Sequence, residues 1–177
     1  LELVQRRNYL QNKQIKTIYF GGGTPSLLSA VEINSIIDLV TSHYEIDSNA
    51  EITLEANPDD LKNVYLKQLK TTSVNRLSIG VQSFYDEDLK WMNRTHTAQE
   101  ADYAIKASQD IGFTNLTIDL IYGMPELNSF KLQQNIQKLI NLCIHHISAY
   151  ALTIEPNTPL NKLLRNKLFV EPNDEHV

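Results

Sequence analysis

Residues 19–26 read YFGGGTPS. Tyr19 and Phe20 close the short β-prone run TIYF, three glycines follow without interruption, and Ser29 with Glu32 then sets a capping box ahead of Ile33, Ile36, Ile37, Val40 and Tyr44. A capping box satisfies the first free N–H groups of a helix, and apolar residues at that spacing share one helical face. The stretch is a strand, a tight turn and a helix in immediate succession. Half of the chain's six glycines sit in this one turn, where each adds backbone entropy that folding must overcome. Such a concentration marks either a tight strand-to-helix turn or something bound very close to the backbone. It is not a nucleotide motif: GxxxxGK[ST] is absent, and Ser26 stands where the dinucleotide fingerprint needs its third glycine.

The same unit recurs along the chain. Thr97 and Glu100 form a second capping box before Ala101, Ala104, Ile105 and Ile111, and Gly112 supplies the left-handed stop. A third helix starts near Ser129, with Leu132, Ile136, Leu139, Ile140 and Cys143 on one face, which makes Cys143 a buried packing residue. Weaker helical patterns cover 2–12, 59–70 and 86–92. Between them lie TIYF, EITLEA, RLSIGVQ, LTIDLIY and HISAYALTI. Strands separated by helices require parallel pairing through right-handed crossovers, so the fold class is α/β, an open doubly wound sheet or a barrel.

Alternation within the strands favours a barrel with an open interior. Ile52, Leu54, Leu77, Ile79, Val81, Ile118, Leu120, Tyr150 and Leu152 take one parity and should meet the helices. The other parity carries Thr53, Glu55, Asn57, Ser78, Gly80, Gln82, Thr117, Asp119, Ala149, Ala151 and Thr153, small or polar residues that would line a wet trough rather than fill a closed barrel. Gly21 to Pro25, Pro58, Gly123 with Pro125, and Pro156 all follow strands. The carboxyl edge is therefore the elaborated one, where ligands bind in such folds. Glu55, Gln82 and Asp119 should converge there beside the glycines. Singly, each could pair with a cation, satisfy loop backbone or cap a turn; together, on three strands, they point to a joint ligand. Arg94, in MNRTH, follows the third strand between two helices, as either a solvated loop arginine or part of this site.

The chain has 177 residues, a formal net charge of −5 and a single cysteine, Cys143. That size fits one domain, and the charge argues against nucleic acid or an anionic membrane as the main partner. No apolar run reaches membrane-span length, so a cytoplasmic protein is the expectation. One cysteine excludes an internal disulfide and cannot alone hold an iron–sulfur cluster or a structural zinc. Opening on Leu1 and closing on EPNDEHV, with a helix-start signal at Asn173, residues 1–177 read as a single domain cut from a longer protein.

GGGTPSLL, LEANP, RLSIGVQSF, NRTHT, DLIYGMP and SAYALTIEPNTPL, in this order over nearly the whole chain, resemble the radical S-adenosylmethionine proteins related to oxygen-independent coproporphyrinogen III oxidase. The resemblance implies a partial (βα)6 barrel, here without its first strand and cluster loop. It further implies S-adenosylmethionine across the strand ends and a 4Fe-4S cluster whose CxxxCxxC motif, expected upstream of residue 1, is absent from this chain. By the same resemblance Gly22, Gly23 and Thr24 let backbone approach the methionine end of the cofactor. Glu55 accepts from an ammonium or hydroxyl, Gln82 donates and accepts, and Arg94 pairs with a carboxylate. Asp119 suits ribose hydroxyls and Ala151 lies against adenine. One or two bound cofactors are both compatible with the motifs. In this family reduction of the cofactor yields a 5′-deoxyadenosyl radical, so a chain without the cysteine triad is expected to hold no metal and to be inactive alone. LTIEPNTPL resembles the haem chaperone branch more than the oxidase proper, which implies haem or a porphyrinogen as partner. The alternatives are a true oxidase, converting porphyrinogen propionates to vinyl groups, and a βα barrel that binds another small metabolite without radical chemistry.

Overall fold

The computed structural model describes residues 2–6, 8–10, 13–124, 127–154, 156 and 159–166. Its centre is one parallel sheet of β1 (Ile15–Phe20), β2 (Ile46–Ala56), β3 (Arg76–Gln82), β4 (Asn115–Tyr122) and β5 (His146–Ala151), in the spatial order of the sequence. A doubly wound sheet reverses its order at a switch point; this one never does, which makes it the wall of a partial barrel. The crossovers carry α2 (Ala30–Thr41), α3 (Asn63–Leu69), α4 (Asp86–Trp91), α5 (Ala98–Asp110) and α6 (Ser129–Asn141), with short α1 (Glu2–Gln5) and α7 (Pro159–Arg165) at the two ends.

Local signals explain most of these boundaries. Both capping boxes form, at Ser29 with Glu32 and at Thr97 with Glu100. Gly112, at φ +98°, follows α5. Leu54, Leu77, Ile79, Val81, Ile118 and Leu120 are buried to about the last per cent and pack on Ile33, Ile37, Leu66, Leu69, Ala101, Ala104, Ile105 and Leu139. Each such side chain contributes about 1.5–3 kcal/mol by leaving water. Among the described residues no helix is long and apolar enough to cross a membrane.

Several elements depart from expectation. The helix expected over 2–12 is described only as Glu2–Gln5, with residues 7, 11 and 12 outside the described set. Pro58 opens a 3-10 turn, Pro58–Asp60, so the helix expected from 59 begins at Asn63. β5 ends at Ala151, and Pro125, Glu155, Asn157, Thr158 and the helix start at Asn173 lie outside the described residues.

Cys143 is not a buried packing residue. α6 stops at Asn141, and Cys143 sits exposed in the following turn at φ +56°. The buried face of α6 is Asn135 and Leu139, leaving Ile136 37% and Ile140 56% exposed. The cause is Asn135, whose Oδ1 accepts from Phe84 N–H at 3.1 Å and whose Nδ2 donates to Ser83 Oγ at 3.3 Å. Burying that amide turns the helix away from its most apolar stripe.

The parity expected for β5 is inverted. Asp119 pairs with Ser148, Leu120 with Ala149 and Tyr122 with Ala151, and residues side by side in a parallel ladder point the same way. Ser148 therefore faces inward, while Ala149 and Ala151 follow the helix side. Serine and alanine give alternation little contrast, and a shift of one residue flips every side chain.

Candidate functional site

The turn after β1 and residues of β2, β3 and β4 frame one concavity of about 140 Å³ at the carboxyl edge of the sheet. It is lined by Gly23, Thr24, Glu55, Gln82, Arg94 and Asp119, together with Ser26, Asn57, Ser78 and Gly80. Six of the eight candidate residues meet here. Gly22 adjoins it, its N–H donating to Glu55 Oε2 at 3.0 Å. Ala151 is not in the lining and stands beside Tyr122 at the end of β5.

The three glycines answer two different demands. At Gly21 an added Cβ would lie 2.7 Å from the Tyr19 ring and 3.0 Å from Glu55 Oε1, so close packing excludes a side chain. Gly22 and Gly23 have φ +78° and +67°, and a Cβ on either would meet nothing within 4 Å. Their left-handed backbone faces open space. Glu55 braces this turn: Oε1 accepts from Tyr19 Oη–H at 2.8 Å and Oε2 from Gly22 N–H. Burial, and then the Glu55 hydrogen bond and charge, raise the Tyr19 pKa. Each Glu55 oxygen retains a second lone pair for a ligand.

Arg94 is a half-buried pocket residue, with Nη2 donating to Asn57 Oδ1 at 3.0 Å and Gly80 O at 3.3 Å. Burial lowers its pKa, partly offset by Asp59; a guanidinium remains charged at any physiological pH. Asp119 accepts from Ser78 Oγ–H at 3.3 Å. Burial raises its pKa, Ser78 and Ser148 oppose that by hydrogen bonding, and the Glu55 charge raises it further. The site thus sets one cation against two carboxylates, with an amide between.

Toward the amino edge the same face is not an open trough. Arg76 Nη1 lies 2.8 Å from Glu51 Oε1, Arg76 Nε donates to Thr117 Oγ1 at 3.2 Å, and Thr117 Oγ1 lies 3.0 Å from His146 Nδ1. This polar row bridges β2 to β5 on the amino side of the cavity. Alternation along RLSIGVQ carries no sign of this role for Arg76, because its long side chain reaches across two neighbouring strands.

Ser26, Asn57 and Ser78 join the expected residues in the lining. Asn57 and Ser78 already shared the inward parity of Glu55, which was the signal for them. Ser26 Oγ donates to Asp60 Oδ2 at 2.6 Å and ties the glycine turn to the loop after β2, a contact no local pattern encodes. Among the described residues no group of three His, Cys, Asp or Glu side chains could hold a metal ion. Cys143, between α6 and β5, lies at the opposite edge of the sheet.

Known proteins resemble this chain in sequence and in fold. The haem chaperone HemW of Escherichia coli is 41% identical over 150 residues, covering 85% of this chain and 40% of that protein. The haem chaperone HemW of Bacillus subtilis is 36% identical over 165 residues, covering 92% and 44%. The chain therefore spans less than half the length of these relatives. Among solved structures, coproporphyrinogen III oxidase (HemN) from Escherichia coli, a radical SAM enzyme, superposes with a TM-score of 0.76 at 26% identity, covering 94% of this chain and 42% of that one. Elp3 of Methanocaldococcus infernus, at 20% identity and a TM-score of 0.77 over 99% of this chain and 46% of its own, shares the fold. The model of the Radical SAM superfamily matches residues 2–139, most of the chain and every strand but the last, and on that match the chain belongs to the Radical SAM superfamily.

Proposed function

We propose that this chain is the S-adenosylmethionine-binding wall of a haem-handling protein of the haem chaperone type. The observation that carries the reading is the convergence of Glu55, Gln82, Arg94 and Asp119 on one cavity beside the left-handed Gly22–Gly23 backbone. The chemistry of the donor set suits this ligand. Its amino-acid end is a zwitterion, for which Arg94 offers a planar fork to the carboxylate and Glu55 a lone pair to the ammonium. Its ribose hydroxyls suit an acceptor such as Asp119. Space left open against Gly22 and Gly23 lets ligand atoms approach backbone directly. Ligand sites are commonly about 300–1,000 Å³, so a cavity of about 140 Å³ takes one end of the molecule and leaves the remainder outside it. Ala151 has no part in this reading.

When bound, S-adenosylmethionine supplies radical chemistry through its sulfonium; the residues of this chain bind it, orient it and keep water from the cavity. A 4Fe-4S cluster does not fit the residues present, since the one cysteine lies at the far edge of the sheet. Haem as the cargo is favoured by the haem chaperone relatives. A second reading, oxidative decarboxylation of coproporphyrinogen III, is favoured by the structural likeness to the oxidase.

The full-length protein, reconstituted anaerobically, distinguishes them. Haem titration should saturate at a fixed stoichiometry, and coproporphyrinogen III should survive incubation with reductant and S-adenosylmethionine. Multiple-turnover formation of protoporphyrinogen IX would replace the chaperone reading with the oxidase.

A further inference from the structure

β3 does not end as a regular strand. Its register against β4 runs from Ile79↔Ile118 to Gln82↔Leu120, three residues against two, and Gln82 takes φ +68°. Such a bulge re-aims a side chain, and a left-handed glutamine needs its surroundings to hold it there. The carbonyls at the bulge are gripped from the segment after α4. Arg94 Nη2 donates to Gly80 O, and His96 Nε2 lies 3.0 Å from Val81 O. A carbonyl only accepts, so Nε2 carries the proton and Nδ1 of the neutral ring is an acceptor. That Nδ1 is buried without a hydrogen-bond partner, in a residue only 3% exposed. An unpaired buried acceptor is destabilising, and a leucine would fill the same space without it. What leucine could not supply is the N–H to Val81 O. Val81 O also accepts from Ser83 N–H at 2.8 Å; because the peptide group is planar, the two donors together hold the Val81–Gln82 peptide plane, and His96 supplies the one that comes from outside the turn. A Cβ built on Gly80 would meet Gln82 Nε2 at 2.9 Å and Arg94 Nη2 at 3.4 Å, so both polar heads lie over that bare glycine.

We propose that His96 is a positioning residue: its Nε2–H locks the peptide plane at the β3 bulge and so holds the left-handed Gln82 with its amide in the cavity beside Arg94. This rests on the cavity being the S-adenosylmethionine site. The test uses full-length protein carrying His96→Leu, which keeps volume but removes the N–H; His96→Gln, which restores an N–H; Gln82→Ala; and the double variant with His96→Leu. Calorimetry gives the S-adenosylmethionine Kd, and hydrogen exchange follows the amides of Ser83 and Tyr85, bonded within this turn to Val81 O and Ser83 Oγ, and of Phe84, bonded to Asn135 Oδ1 on α6. His96→Leu and Gln82→Ala should each weaken binding about tenfold, the loss of one good hydrogen bond, with the double variant no weaker than either alone. His96→Gln should recover most of the affinity, and exchange at 83–85 should quicken in His96→Leu. Additive losses in the double variant, or wild-type binding by His96→Leu, would overturn the proposal. If wild-type protein binds no S-adenosylmethionine, the cavity reading fails, and unchanged exchange at 83–85 in His96→Leu would then overturn the clamp as well.

Discussion

Gly22→Ala separates backbone strain from ligand contact. Gly22 has φ +78°, and an added Cβ meets nothing within 4 Å. The unliganded protein should therefore lose only the left-handed penalty, roughly 1–2 kcal/mol, a fall in Tm of about 2–8 °C for a domain of this size. Gly112→Ala is the control. It too is left-handed, at φ +98°, with its Cβ in ordinary contact at 3.7 Å with Lys70 Cε, but it lies in the turn after α5. Both variants should show similar modest shifts by thermal denaturation. They should diverge in calorimetric titration of the full-length protein with S-adenosylmethionine. The new methyl at position 22 occupies space proposed for the ligand, and a loss of about 1.4 kcal/mol there is tenfold in Kd; Gly112→Ala should bind as wild type. Equal affinity for Gly22→Ala and wild type, or equal losses in the two variants, would refute the reasoning.

Arg94→Lys keeps the charge but not the planar fork that reaches Asn57 and Gly80, so S-adenosylmethionine affinity should fall about tenfold or more, as read by the same titration. Leu54→Ala removes a fully buried side chain and should cost about 2–5 kcal/mol. Ile140→Ala, on the exposed flank of α6, should stay within about 0.5 kcal/mol; urea denaturation compares the two. Burial depresses the His96 pKa; the hydrogen bond to Val81 O opposes it, Arg94 lowers it again, and Asp59 and Glu100 raise it by less, leaving it below the ordinary histidine value. The unfolded chain then binds the proton more readily, so this contribution to stability is complete above the ordinary histidine value of about 6.5 and is lost as pH falls from there through the depressed value. Urea midpoints at pH 7.5 and 5.5 should differ more for wild type than for His96→Leu, and equal differences would contradict the assignment.

The helix starts and the sheet were legible because their signals are local. Ser29 with Glu32 and Thr97 with Glu100 close their own helix ends, and the apolar parity of β2, β3 and β4 needs no knowledge of neighbours. Glu55, Gln82 and Asp119 were found by combining that parity with the carboxyl-edge rule. Gln82 reaches the cavity by a route that parity does not contain, a left-handed bulge. What was missed depends on long-range partners. Asn135 turns α6 by bonding to the β3–α4 turn, His96 acts on a carbonyl fifteen residues before it, and the Arg76 row spans four strands. β5 failed because small residues on both faces leave no contrast to read.

The most direct test of the account is the structure of the full-length protein bound to S-adenosylmethionine. It should place the ligand against the Gly22–Gly23 backbone, with its polar groups in hydrogen-bond reach of Gln82, Arg94 and Asp119. A fully occupied ligand elsewhere in the barrel, making no contact with those residues, would contradict it.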